Sequence, residues 1–281
     1  MKLNLAYPEA SDISFKVSKF PDGQQSITIA PIQTHLPIQI RSRLNSFKDL
    51  ELIICANKAL RNNESSQRIS LYVPYFLGAR SDRKFEDGGI NYLKDVICPL
   101  VNSQNFDSVF IVDPHSDVTE ALINNFHKTS NQSLVNWALR KINSENYLLV
   151  SPDAGALKKV FSVAENIEYK RDIIIASKHR DVDGKITHTD VPFSVTEADK
   201  DMIIIDDICD GGRTFIEIAK TIKNKQMLSS STQIHGKIYL IVTHGIFSAG
   251  FDELAKYFDG IYCTNSIQDI DNPLVKQFNV F

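Results

Sequence analysis

Seven short apolar runs, at 52–55, 69–73, 109–112, 147–150, 173–176, 202–205 and 238–242, recur along this chain without the polar alternation of a half-buried strand. Unbroken runs of this kind, rich in β-branched residues, suit strands covered on both faces. Polar or helix-length intervals separate them, and parallel crossover units need such spacers. The expected class is therefore α/β, with mainly parallel sheet flanked by helices.

Two pairs of these runs look alike. Val109 to His115 and Ile238 to His244 each deliver a histidine at a strand end, and Leu71 to Tyr75 parallels Ile203 to Asp207 at nearly the same offset. That spacing predicts an internal duplication of two similar domains, 1–135 and 136–281, joined near the polar stretch 128–133. A chain of 281 residues is long enough for two such cores.

Lysine and arginine total 31 against 34 aspartates and glutamates, a net charge of −3, so no general attraction to polyanions is encoded and nucleic acid is not an expected partner. Cys55, Cys98, Cys209 and Cys263 form no metal-type spacing and read as core thiols of a reducing compartment. No apolar run approaches the ~20 residues that cross a bilayer, so a cytoplasmic protein with no membrane partner is expected.

The chemistry is concentrated in residues 202–215, Met-Ile-Ile-Ile-Asp-Asp-Ile-Cys-Asp-Gly-Gly-Arg-Thr-Phe. A strand ending at Ile205 would leave Asp206 and Asp207 at its carboxyl end, where open α/β sheets place ligands. Each carboxylate can accept hydrogen bonds from vicinal ribose hydroxyls. Gly211 and Gly212 let backbone N–H groups close around a phosphate at the start of the next helix. An Asp-Gly-Gly turn can also be a plain βα connection. Three carboxylates this close, with Asp210 as the third, repel one another and favour the ligand-binding reading.

This stretch resembles the ribose-phosphate loop of type I phosphoribosyltransferases and ribose-phosphate diphosphokinases, usually Asp-Asp-x-x-Asp-Thr-Gly-Gly-Thr. Gly211 stands at the usual threonine and Arg213 at the second glycine, so the seat formed by Asp206, Asp207, Asp210, Gly211, Gly212, Arg213 and Thr214 gains a guanidinium. A 5′ substituent larger than a monophosphate, as in ADP-ribose, becomes an alternative to ribose 5-phosphate.

Other segments resemble the diphosphokinases specifically. Phe20-Pro-Asp-Gly-Gln24 is similar to Phe-x-Asp-Gly-Glu, with Gln24 at the usual glutamate. Val73 to Lys84 is similar to Ile-Pro-Tyr-Phe-x-Tyr-Ala-Arg-Gln-Asp-Arg, with Ser81 at the usual glutamine. Alone, the first is a turn and the second could be a solvated helix face. The resemblance implies an ATP site in which Phe20, Asp22 and Arg80 hold adenine, with Arg83 near the phosphates and the first segment supplied by a neighbouring subunit of a homo-oligomer. Asp113-Pro-His-Ser116 and Ser151-Pro-Asp-Ala-Gly155 resemble family segments whose histidine and aspartate contribute to Mg²⁺ and phosphate binding, implicating His115 and Asp153. Ser177-Lys-His-Arg180 falls on the family's catalytic loop, with Lys178 and Arg180 as the cations that stabilise the transferring group, and the polar tract 181–201, turning at Gly184, has the composition of a flexible hairpin or lid. His244 reads as structural.

The resemblance runs from residue 20 to 250 in the family's order. It implies two phosphoribosyltransferase-like domains and an Mg²⁺-dependent enzyme that moves the β,γ-diphosphoryl group of ATP to C1 of a 5-phosphorylated ribose. A phosphoribosyltransferase consuming PRPP, or a catalytically silent nucleotide-binding homologue, would be the alternatives. No Gly-x-x-x-x-Gly-Lys-Ser/Thr loop is present, which excludes a P-loop kinase.

Overall fold

The computed structural model describes residues 1–32, 36–63, 67–180, 186–229 and 235–281. They divide into two compact units, Met1–Ser130 with Val280–Phe281, and Asn131–Asn279. Among the described residues, no helix is long and apolar enough to cross a membrane.

The first unit contains β1 (Lys2–Asn4), β2 (Phe15–Lys19), β3 (Gln25–Ile29), β4 (Ile38–Arg41), α1 (Phe47–Asn63), β5 (Ile69–Tyr72), α2 (Cys98–Asn102), β6 (Ser108–Val112), α3 (Asp117–Leu122) and β7 (Phe126–Thr129). Strands β1, β4, β5, β6 and β7 form a parallel sheet in chain order, and β2 and β3 form a separate antiparallel hairpin. One sheet face buries Ile38, Ile40, Ile69, Leu71, Val109 and Ile111 with Leu50, Ile53 and Leu60 of α1.

The run at 52–55 does not form a strand. It lies inside α1, where Leu50, Ile53, Ala56, Asn57 and Leu60 recur at three- and four-residue spacing and are buried. Four apolar residues satisfy either period; the wider spacing decides for the helix. Conversely, β4 escapes the unbroken-run criterion because its side chains alternate between buried and half-buried.

The second unit contains α4 (Gln132–Ile142), β8 (Tyr147–Ser151), α5 (Leu157–Asn166), β9 (Ile174–Ile175), β10 (Ser177–Arg180), β11 (Ile186–Asp190), β12 (Asp201–Cys209), α6 (Arg213–Ser229), β13 (Ile238–Gly245), α7 (Asp252–Ala255), β14 (Gly260–Thr264) and β15 (Val275–Phe278). Its six-stranded sheet has the order β15-β14-β13-β12-β8-β9, and every pairing is parallel. Both faces are covered. Met202 and Ile204 pack with Phe215, Ile218 and Ile222 of α6, while Ile203 and Ile205 pack with Leu134 and Val135 of α4 and Val160 of α5. Double coverage explains why these strands read as continuous apolar runs.

Candidate active site

Chain order reverses beside β8. Strand β9 lies on one side of it, while β12 and the strands that follow lie on the other. Such a switch point leaves a crevice at the carboxyl ends of the two central strands, where ligands of open α/β sheets bind.

The register shows how the crevice opens. Strand β12 pairs with β8 only over Asp201 to Ile204, but its pairing with β13 continues through Asp206, Ile208 and Cys209. The strand therefore does not end at Ile205, as the sequence suggested. It carries both aspartates, because β13 continues to supply hydrogen bonds after β8 has turned away.

Asp207 is buried, and its Oδ2 lies 3.0 Å from Nζ of Lys159, a residue of α5. Asp206 sits beside it with partial exposure, and its Oδ1 accepts the backbone N–H of Asp207 at 2.9 Å. Burial, then the neighbouring charge of Asp207, then more weakly Asp153, push the Asp206 carboxyl from 3.8 up to about 8. Of the two adjacent aspartates, one is neutralised by a protein cation. The other retains its proton near neutral pH.

Asp153 follows β8 and belongs to the same centre. Its Oδ1 accepts the N–H groups of Gly155 at 3.0 Å and Ala156 at 3.1 Å, bracing the turn into α5. Lys159 is absent from the sequence reading. The only signal was a lysine pair, Lys158-Lys159, soon after Ser151-Pro-Asp-Ala-Gly155, and its partner lies in a strand nearly fifty residues on.

Beyond β12, the Cys209 carbonyl accepts the N–H groups of Ile246 at 2.8 Å and Phe247 at 3.2 Å, and Ser248 Oγ donates to Asp210 Oδ1 at 2.6 Å. These bonds tie the glycine loop to the loop after β13. Asp210 thus has a tethering role that its place in the motif did not reveal. Cys209 is fully buried and burial raises its thiol pKa, which fits packing rather than nucleophilic use. Gly212 adopts φ +77°, and a Cβ there would come within 3.0 Å of Leu254 Cδ2. Glycine is required by both backbone and space. Helix α6 then opens with Arg213 exposed and Thr214 half-buried, and its first N–H groups supply anion donors. A Cβ on Gly211 would meet only Ser248 Oγ at 3.7 Å and Ala249 Cβ at 3.8 Å, so the loop is roomier here than a threonine would leave it.

Lys178 and Arg180 lie on β10, which pairs antiparallel with β11; their side chains, and residues 181–185 including Gly184, lie outside what is described. His244 is buried and its Nδ1 lies 2.9 Å from Ser266 Oγ, the satisfied structural histidine that was expected.

The remaining candidates belong to the first unit. Phe20, Asp22 and Gln24 form the tip of the β2–β3 hairpin. There the Phe20 N–H donates to the Gln24 carbonyl at 2.8 Å, the Gln24 N–H donates to Asp22 Oδ1 at 3.1 Å, and Phe20 is 51% exposed. Arg80, Ser81 and Arg83 lie in a loop, so the solvated-helix alternative does not hold. The Ser81 N–H donates to the Gly78 carbonyl at 2.8 Å, and the Arg83 guanidinium stands 5.5 Å from the centre of the Phe85 ring. His115 is exposed in the turn between β6 and α3.

Among the described residues, no group of three or more His, Cys, Asp or Glu side chains is arranged to hold a metal ion. The residues nevertheless fit Mg²⁺ of one kind. Asp153 and Asp206 offer hard oxygen donors, and the raised Asp206 pKa, owed first to burial and then to the neighbouring carboxylates, is what a nearby cation would lower. A cation completing its shell with substrate phosphates and water suits that donor set.

Residues 124–243 match the model of the phosphoribosyl transferase domain, a span that includes β8, β12 and the glycine loop. Ribose-phosphate pyrophosphokinase 4 of Saccharomyces cerevisiae is 26% identical over 225 residues, covering 77% of this chain and 64% of that protein. The ribose-phosphate pyrophosphokinase of Ureaplasma parvum is 28% identical over 254 residues, covering 87% of this chain and 71% of that protein. The crystal structure of phosphoribosylpyrophosphate synthetase from Mycobacterium smegmatis superposes with a TM-score of 0.79 at 17% identity, over 97% of this chain and 88% of that one. The shared fold covers nearly the whole chain.

Proposed function

We propose that this chain is a member of the ribose-phosphate pyrophosphokinase family, to which the relatives named above belong, and that it transfers the β,γ-diphosphoryl group of ATP to the C1 hydroxyl of a 5-phosphorylated ribose. With ribose 5-phosphate the products are PRPP and AMP. The anomeric oxygen attacks the β-phosphorus, the bond to the bridging oxygen of the α-phosphate breaks, and the hydroxyl proton is released.

One observation carries the reading: a carboxylate pair at the switch point, directly followed by a glycine loop that opens a helix. Asp206 and Asp207 orient the ribose hydroxyls, and residues Asp210 to Thr214 receive the 5′-phosphoryl group. Lys178 and Arg180 stabilise negative charge on the oxygens of the transferring group, a contribution that requires placement rather than covalent chemistry. Asp153 in the second unit and His115 in the first are each assigned to Mg²⁺ and phosphate binding, and the ion would supply charge neutralisation to the phosphates. Phe20, Asp22, Gln24, Arg80, Ser81 and Arg83 form the ATP-binding set, in a homo-oligomer whose subunits share that site and which works in the cytoplasm.

The acceptor has a second reading, favoured by the glycine loop. A guanidinium at the first position of α6 opposes the helix dipole unless an anion accompanies it. Gly211 and Arg213 together make a seat both wider and more cationic than a monophosphate needs, which suits a 5′-diphosphate such as that of ADP-ribose.

AMP formation from ATP and Mg²⁺ tests both readings, measured with ribose 5-phosphate and with ADP-ribose in parallel. Release with either acceptor supports the diphosphokinase reading, and its absence with both, despite bound ATP, points to the silent homologue. Equal or faster turnover of ribose 5-phosphate removes the case for the larger acceptor. Lys178→Ala should abolish AMP release and keep ATP binding.

A further inference from the structure

Helix α6 begins at the glycine loop, and its later turns hold the hairpin that carries Lys178 and Arg180. The Lys225 Nζ donates to Asp190 Oδ1 at 2.9 Å and to the Val191 carbonyl at 2.8 Å, and stands 5.7 Å from the centre of the Phe193 ring. One turn earlier, Thr221 Oγ1 donates to the Glu217 carbonyl at 2.9 Å and lies 3.4 Å from the Thr189 carbonyl. Val191 is fully buried in the same apolar cluster as Phe215, Ile218 and Ile222 of α6.

The hairpin register turns these contacts into a constraint on the catalytic strand. Asp190 pairs with Ser177 and Thr189 with Lys178. Asp190, held by Lys225, is thus directly across from Ser177 at the start of β10, and Thr189, which faces Thr221, is across from Lys178. At 1.5 Å of rise per residue, Thr221 and Lys225 lie about 12 and 18 Å along the axis from Arg213, and their four-residue spacing puts them on one face of the helix.

We infer that Lys225 is a positioning residue: by clamping Asp190 and the Val191 carbonyl, it fixes the β10–β11 hairpin to the same rigid helix whose first turn binds the 5′-phosphoryl group. The inference rests on the proposed function, because Lys178 and Arg180 take their roles from it. Sugar phosphate and transferring cations are then referenced to a single element. Displacing a catalytic cation by an ångström costs rate, whereas the phosphate seat at the other end of α6 is untouched.

Lys225→Met and Asp190→Asn test the inference in the full-length enzyme. The expected result is a fall in kcat of about tenfold to a hundredfold, with KM for the sugar phosphate within about twofold and Tm nearly unchanged, since a half-exposed pair contributes little to global stability. The double variant should be no slower than the worse single one, and Lys225→Arg should recover most of the rate. Hydrogen exchange of the Ser177 to Arg180 amides should quicken in Lys225→Met. A kcat near that of the wild type, a loss carried by KM or Tm, or unchanged exchange would overturn it. Should the wild-type chain release no AMP, the activity reading fails, and the exchange measurement still decides whether Lys225 holds the hairpin.

Discussion

Replacing Asp206 by asparagine should stabilise the protein while removing its sugar binding. The Asp206 carboxyl titrates at about 8 rather than at 3.8, chiefly because burial and then the charge of Asp207 disfavour ionisation. A folded-state pKa above the unfolded one means that the native protein holds a proton the unfolded chain has released. Stability is then full below pH 4 and is lost progressively between about pH 4 and pH 8. At about 1.4 kcal/mol per pH unit, the loss approaches a ceiling of about 6 kcal/mol above pH 8. The introduced amide mimics the protonated acid, since its side-chain oxygen can still accept the Asp207 N–H. Some solvent contact remains at the carboxyl, so a realised gain of about 1 to 3 kcal/mol at pH 9 is expected. Urea denaturation at pH 5, 7 and 9 measures it: the advantage of Asp206→Asn should widen with pH and be smallest at pH 5. A constant gap, or a variant less stable than the wild type at pH 9, would refute the reasoning.

Three other substitutions separate the parts of the site. Asp207→Asn should do the opposite of its neighbour, costing about 1 to 3 kcal/mol because the ion pair with Lys159 is lost in a mostly buried setting; denaturation at pH 7 reads it. Gly212→Ala should cost about 1 to 2 kcal/mol for the left-handed backbone alone, with more from the approach to Leu254, and should raise KM for the sugar phosphate more than for ATP. Arg213→Gly, which restores the residue usual in the family, should lower turnover of ADP-ribose at least ~10-fold, the worth of a charge-assisted contact to a second phosphate, and leave ribose 5-phosphate nearly unchanged; equal effects on both acceptors would remove the 5′-diphosphate reading.

What the sequence disclosed follows from how each element is buried. Strands β8, β12 and β13 are covered on both faces, so their apolar runs were unmistakable, and the motif at the end of β12 could be located directly. Strand β4, with one half-buried face, left no comparable mark, whereas the two-residue β9 falls inside the apolar run at 173–176. The run inside α1 satisfied a strand's length and a helix's period equally. The Phe20 turn was legible because Pro-Asp-Gly sets its own backbone locally, whereas the chain between Arg80 and Asn91 takes its loop conformation from bonds such as that between Leu93 N–H and the Ser81 carbonyl.

The aspartate pair marks the deeper limit. In the sequence Asp206 and Asp207 are the same letter twice, and nothing local distinguishes them. Their difference arises from the strand order: β8 leaves β12 after Ile204, and α5, which follows β8, brings Lys159 to Asp207 but leaves Asp206 facing the charge of Asp153. Among the described residues, an ion pair thus reaches Asp207, whereas Asp206 is held protonated mainly by burial and neighbouring carboxylates. A proton neutralises Asp206 in the free protein, and under the proposed function a cation or sugar hydroxyls would take its place in the complex. That asymmetry cannot be read from adjacent residues, because the cation that creates it comes from an element placed beside β12 by the reversal of the sheet.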